Sequence, residues 1–330
     1  MMRLMAFTRA AAAAAAVLLL GFPARAQGTT PGPEVRALVP YKDITLGLDA
    51  SSPRIALSAS AAQLPELVWA FAAGPCGDER WGAVSGDALA AANVAAHAGE
   101  GRRYWVSTGG EAHGFRCDTL AGLRAFVARY DSPLLQGLDF DIERDQSAAQ
   151  IDDLVRHAAA LAAERPALRF MFTLATHAAS DGSGANLNAT GEQVMTALRR
   201  HRFDTAIVNL MVMNYGPGST ANCVPLPSGA GCDMARSARQ ALANFQARHG
   251  WPTARIALTP MLGENDVANN VFTPDDAAAL LTLAREAGLF RVFAWSLDRD
   301  APCPAGEPRV SPRCHGLAGV AAGQFFQRTR

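Results

Sequence analysis

The stretch GLDFDIE, Gly137 to Glu143, sets three carboxylates, Asp139, Asp141 and Glu143, at alternate positions between Leu138, Phe140 and Ile142. A period of two marks a strand, whose successive side chains leave on opposite faces. The apolar set suits a face covered by helices. The acidic set lines the other face, and what lies there decides the fold. On an edge strand it would be water. In a closed barrel it is the interior, normally a packed apolar core.

The flanking sequence favours the barrel. Apolar runs recur as LVWAFAAG (67–74), YWVSTGG (104–110), LRFMFTLAT (168–176), AIVNLMVMNYG (206–216), RIALTPMLG (255–263) and RVFAWSLD (291–298), with DITLGLDA (43–50) as the first candidate. Helical periodicity fills the gaps. Leu120, Leu123, Phe126 and Val127 share one face, as do Ile151, Leu154, Val155 and Leu161. Thr273, Pro274 and Asp276 read as N-cap, N1 and N3 of a further helix that Gly288 stops. Strands alternating with helices predict an α/β protein with a parallel sheet. About eight such units in roughly 300 residues match a single-domain (β/α)8 TIM barrel. A doubly wound open sheet is the alternative, but it usually carries a G-x-G-x-x-G turn that this sequence lacks. The Pro-, Gly- and Cys-rich pieces at 216–233 and 301–314 follow strand ends, where barrel sites are built.

Three neighbouring acids in such an interior resist ionisation, because burial raises each pKa and like charges raise it further. They titrate as a coupled set. The arrangement keeps a carboxylic acid protonated near neutral pH. Glu143, furthest along the strand, is the natural proton donor, with Asp141 beside it and Asp139 deepest.

Composition limits the partners. Thirty basic residues balance thirty acidic ones, which argues against nucleic acid or another ligand held mainly by charge. Arg3 and Arg9, an apolar run to Leu20, and Ala24-Arg25-Ala26 read as a signal peptide cleaved after Ala26. The run is too short and alanine-rich for a good membrane anchor, and no later segment is long and apolar enough to span a bilayer. Secretion or a periplasmic location is expected, with residues 27–36 as a disordered mature N-terminus and 37–330 as the domain. The six cysteines suit an oxidising compartment. Their spacing suggests two local staples, Cys223 with Cys232 and Cys303 with Cys314, leaving Cys76 for Cys117. Zinc competes poorly, since neither C-x-x-C nor H-E-x-x-H occurs. Nothing implies a metal or an organic cofactor, and a monomer is expected.

The motifs resemble glycoside hydrolase family 18, the chitinases and their relatives. GLDFDIE resembles the end of that family's D-x-x-D-x-D-x-E signature, with Gln136 in place of its first aspartate. Ser107, Gly109 and Gly110 resemble its S-x-G-G strand, and VNLMVMNYG, LTPMLGEND and FAWSLDRD resemble its sixth to eighth strands. The resemblance runs from about residue 41 to 300. It implies a retaining hydrolase of β-1,4-linked N-acetylglucosamine, in which Glu143 is acid and base, Asp141 holds the substrate's acetamido group and Asp139 tunes Asp141. It also implies chitin or N-acetylglucosamine oligosaccharides as partners. Met211, Met213, Asn214 and Tyr215 on the sixth strand, Trp295 as a sugar platform, and Phe71, Met261 and Gly110 would line the site. Core packing competes for the methionines and for any strand-end tryptophan. Two other functions share the acids or the fold: an endo-β-N-acetylglucosaminidase on N-glycans and a non-catalytic carbohydrate-binding protein.

Overall fold

The computed structural model describes residues 35, 37–48, 51–58, 61–144 and 146–327. The signal-peptide reading and nearly all of the 27–36 segment lie outside them. Eight parallel strands close a barrel: β1 (Leu38–Asp43), β2 (Glu66–Ala72), β3 (Arg103–Gly109), β4 (Leu135–Asp141), β5 (Arg169–Ala175), β6 (Ile207–Met211), β7 (Ile256–Thr259) and β8 (Arg291–Ala294). Each strand pairs with its neighbours in sequence, and β8 closes onto β1 through Leu38–Val292, Val39–Phe293 and Pro40–Ala294. The ring is closed, so none of these eight strands is left at an edge.

A helix follows each strand from β2 to β7: α1 (Gly86–Gly99), α2 (Leu120–Arg129), α3 (Ala148–Glu164), α4 (Ala189–Arg200), α5 (Met234–His249) and α6 (Pro274–Ala287). Each opens on a side-chain cap: Ser85, Thr119, Ser147, Asn188, Asp233 or Thr273 accepts a backbone N–H of the first turn. Such a cap contributes about 1 kcal/mol. The α6 reading holds in detail, with Pro274 at the first position, a Thr273–Asp276 capping box and a left-handed Gly288 at the end. Between β1 and β2 the only helix among the described residues is a 3-10 turn at Ala61–Gln63.

The first strand departs from expectation. It is LVPYKD, not the predicted DITLGLDA at 43–50. Asp43 ends the strand, because its Oδ1 accepts both the backbone N–H (2.9 Å) and the hydroxyl (2.6 Å) of Thr45 and folds the chain into a turn. Gly47 continues that turn at φ +95°. Pro40 masks the true strand, since proline is rare in a central strand.

Two apolar layers result. Leu138, Phe140 and Ile142 pack outward in the large cluster shared by sheet and helices. Inside the barrel, Val39, Tyr41, Val68, Ala70, Trp105, Met171, Ile207, Ala257 and Phe293 form a smaller plug. The three expected disulfides are present: Cys76–Cys117, Cys223–Cys232 and Cys303–Cys314. The first ties the loop after β2 to the loop after β3, and the other two close the loops after β6 and β8.

Candidate active site

The acidic residues of β4 stand on the inner face, as the alternation required. Asp139 is fully buried at the top of the apolar plug. Its Oδ2 accepts hydrogen bonds from the Tyr41 hydroxyl (2.8 Å) and Ser107 Oγ (2.6 Å), and its Oδ1 accepts one from Thr173 Oγ1 (2.6 Å). Asn209 Nδ2 donates to Thr173 Oγ1 at 2.8 Å and to the Tyr41 hydroxyl at 3.2 Å, and Thr259 Oγ1 donates to Asn209 Oδ1 at 2.9 Å. Five strands besides β4 thus converge on one carboxylate. Burial raises its pKa to about 6, and the three hydroxyl donors hold it from rising further.

Asp141 ends β4, two residues along the strand from Asp139. It is 6 % exposed, and its Oδ1 is buried without a hydrogen-bond partner. A buried acceptor left open costs free energy unless a ligand completes it. Burial raises its pKa well above the ordinary carboxylate value, and the charges of Glu143 and Asp139 add to the rise. Glu143 lies two residues beyond the strand at the mouth and is half-buried. Burial, with the charge of Glu111, lifts its carboxyl to about 7. The column therefore grades from a carboxylate held by three donors, through an open acceptor, to an acid that keeps its proton near neutral pH.

The neighbouring strand is shaped to fit. Gly109 and Gly110 turn at φ +85° and +82°, the left-handed region that favours glycine. A Cβ at Gly109 would lie 2.2 Å from the Asp141 carbonyl oxygen, and one at Gly110 would lie 2.8 Å from the Phe71 ring. The Gly110 N–H donates to that Asp141 carbonyl at 3.1 Å.

An aromatic wall faces the column. The rings of Phe71 and Trp295 stack with centroids 5.2 Å apart and planes 21° off parallel, and Tyr41 lies about 6 Å from both (6.3 and 6.1 Å). Met261 pairs with Trp295 across the ends of β7 and β8, and its sulfur lies 3.9 Å from Asn214 Nδ2. Met211 is buried at the end of β6 and Met213 is half-buried beyond it. The structure thus gathers Asp139, Asp141, Gly110, Phe71, Met261, Trp295 and Asn214 around the C-terminal mouth.

Tyr215 is the correction. It is buried in the outer apolar cluster, not in the barrel, and its hydroxyl has no partner. The cause is local. Asn214 turns through φ +50°, and the Tyr215 N–H is held by Asn270 Oδ1 at 3.0 Å. The residue after Asn214 is thereby drawn away from the barrel.

The partners of Asp139 other than Ser107 had no reading in the sequence. Tyr41, Thr173, Asn209 and Thr259 each look like an ordinary strand residue. The signal lies in their shared alternation: each is a hydroxyl or amide two residues beyond an apolar inner residue, Val39, Met171, Ile207 or Ala257.

No protein-family model matches the sequence. A probable bifunctional chitinase/lysozyme of Escherichia coli is 30% identical over 148 residues, which are 42% of this chain and 16% of that protein. The catalytic domain of a hyperthermophilic chitinase from Pyrococcus furiosus has the same fold. At 23% identity it superposes with a TM-score of 0.66, covering 92% of this chain and 97% of that one. Active domain 2 of a thermostable P. furiosus chitinase, as catalytic-site mutants with chito-oligosaccharides, gives 0.65 at 24% identity over 90% and 97%. A xylanase-α-amylase inhibitor protein seen with trehalose gives 0.50 at 11% identity over 79% and 92%. The chain therefore has the fold of chitinase catalytic domains, the barrel that the resemblance to glycoside hydrolase family 18 implies.

Proposed function

We propose that the protein is a chitinase-like glycoside hydrolase of family 18 that cleaves β-1,4-linked N-acetylglucosamine with retention of configuration. The observation that carries this reading is the graded column, above all the buried, unpartnered Oδ1 of Asp141 beneath a Glu143 that titrates near 7. An N–H donor completes Asp141, and the acetamido group of the substrate provides one. Glu143 protonates the glycosidic oxygen. The acetamido oxygen attacks its own anomeric carbon, and Asp141 stabilises the resulting oxazolinium ion. Glu143, now ionised, takes a proton from water as water opens that ring. The substrate thus supplies the nucleophile, an exception to the two-carboxylate scheme. Phe71 and Trp295 supply an apolar wall suited to the face of a pyranose ring.

Secretion to the periplasm or beyond after cleavage at Ala26, with residues 37–330 as one catalytic domain acting as a monomer, belongs to the same proposal. The three disulfides support it. Among the described residues no helix is long and apolar enough to cross a membrane.

The test is the stereochemistry of the first product. Proton NMR of N-acetylglucosamine oligomers mixed with the mature protein is expected to show the β-anomer forming first and mutarotating later. The α-anomer first would contradict the mechanism. Binding with no product would favour a carbohydrate-binding protein, and cleavage confined to N-glycans would favour the endo-β-N-acetylglucosaminidase.

A further inference from the structure

The two ends of the barrel differ in charge. The mouth carries the acids of β4. At the other end, β2, β3, β5 and β8 begin with Glu66, Arg103, Arg169 and Arg291. Each lies two residues before an inner side chain of the apolar plug, Val68, Trp105, Met171 or Phe293. Alternation therefore turns all four toward the barrel axis, as a layer beneath the plug. A barrel interior is ordinarily branched and apolar. The whole chain balances thirty basic against thirty acidic residues. These four positions do not: they supply three guanidiniums and one carboxylate.

The carboxylate is already engaged. Glu66 is buried, its Oε1 accepts from Trp105 Nε1–H at 2.8 Å, and its Oε2 accepts from Arg103 Nε–H at 3.1 Å. The side chains of Arg169 and Arg291 make no hydrogen bond or ion pair among the described residues. Both sit instead at the ring of Phe290, with Cζ 5.8 and 5.6 Å from its centroid. Phe290 is half-buried and packs T-shaped on Trp105 at 6.1 Å. Since β5 and β8 are not neighbours in the barrel, the two arginines lean across the floor to share that ring. Burial lowers the Arg291 pKa. The attraction of Glu66 opposes the fall, and the repulsion of Arg103 and Arg169 adds to it.

An aromatic face attracts a cation but offers no oxygen acceptor, so both guanidiniums keep N–H donors to give. Their forked geometry suits the oxygens of a phosphate. Arg169 is exposed and Arg291 half-buried, so the pair is open to water on one side and backed by the plug on the other. We propose that the floor of the barrel is a binding site for a small oxyanion of the phosphate class, held by Arg169 and Arg291 beside the Phe290 ring. The anion offsets the repulsion between the gathered guanidiniums and so stabilises the folded barrel. It sits at the end of the barrel opposite Glu143, and the proposal is independent of the hydrolase reading.

The test is thermal unfolding of the mature protein in increasing inorganic phosphate, with ionic strength held constant by sodium chloride. The wild type is expected to show a saturable rise in Tm of about 2 °C at a tenfold excess over the dissociation constant. Arg169→Gln, at an exposed position that folding tolerates, is expected to lose most of that rise, and Arg169→Glu all of it. Phosphorus NMR is expected to show phosphate line broadening with the wild type and not with Arg169→Glu. A wild type whose Tm does not respond overturns the proposal. So does a rise that fails to saturate or is equal in Arg169→Glu, which is the general effect of an excluded salt.

Discussion

At Glu143 a single side chain sits where burial and neighbouring negative charge both favour the neutral form. An ordinary glutamate is ionised above about 4.5, whereas here the carboxyl keeps its proton to about 7. A general acid works only while protonated. The sign is therefore fixed: activity is retained below the shifted pKa and lost above it. The predicted profile of kcat/KM has an alkaline limb with its midpoint near 7, falling tenfold per pH unit beyond. A flat profile to pH 9 would mean that Glu143 is not the group that donates the proton.

At the scale of elements, the site depends on how closely β3 approaches β4. Gly109 and Gly110 permit that approach. Gly110→Ala places a methyl against the Phe71 ring in a backbone conformation that alanine resists. The expected cost is about 1–3 kcal/mol of stability in urea unfolding, with a raised KM as Phe71 is pushed against Trp295. An unchanged unfolding midpoint would show that the loop relaxes freely. Elements also differ in how far the sequence betrays them. The column on β4 is legible because acids alternate with large apolar residues, and α6 is legible because Thr273, Pro274 and Gly288 act locally. β1 is not, because Pro40 interrupts its pattern and the turn at Asp43 depends on a side chain bonding its own backbone. The cradle of Asp139 is not legible either. Tyr41, Ser107, Thr173 and Asn209 meet only when four strands are brought into register, and nothing local to any one of them states the partner. Tyr215 was misplaced for the same reason: a left-handed turn at Asn214, fixed from another loop, redirects it.

Over the whole molecule, the barrel supplies a closed frame and the loops supply the mouth. The two loops that carry the glycine turn and the Phe71 side of the wall are joined by Cys76–Cys117, and Gly74–Pro75 pairs with Phe115–Arg116 beside it. The cystine closes a segment with a sequence separation of 41, for which chain entropy alone gives about 4 kcal/mol. Replacing both cysteines by serine is expected to lower Tm by about 6 °C in calorimetry, with cleavage at room temperature largely kept. A collapse of activity without loss of Tm would mean that the bridge shapes the mouth more than it stabilises the frame.

The central claim is that the column on β4 makes this barrel a hydrolase of acetamido sugars through Glu143. It is tested most directly by following cleavage and binding of N-acetylglucosamine oligomers side by side in the wild type and in Glu143→Gln. The account predicts cleavage by the wild type, a kcat reduced by about 10³-fold or more in the variant, and binding that persists in both. Equal cleavage by the variant, or binding without cleavage by the wild type, would contradict it.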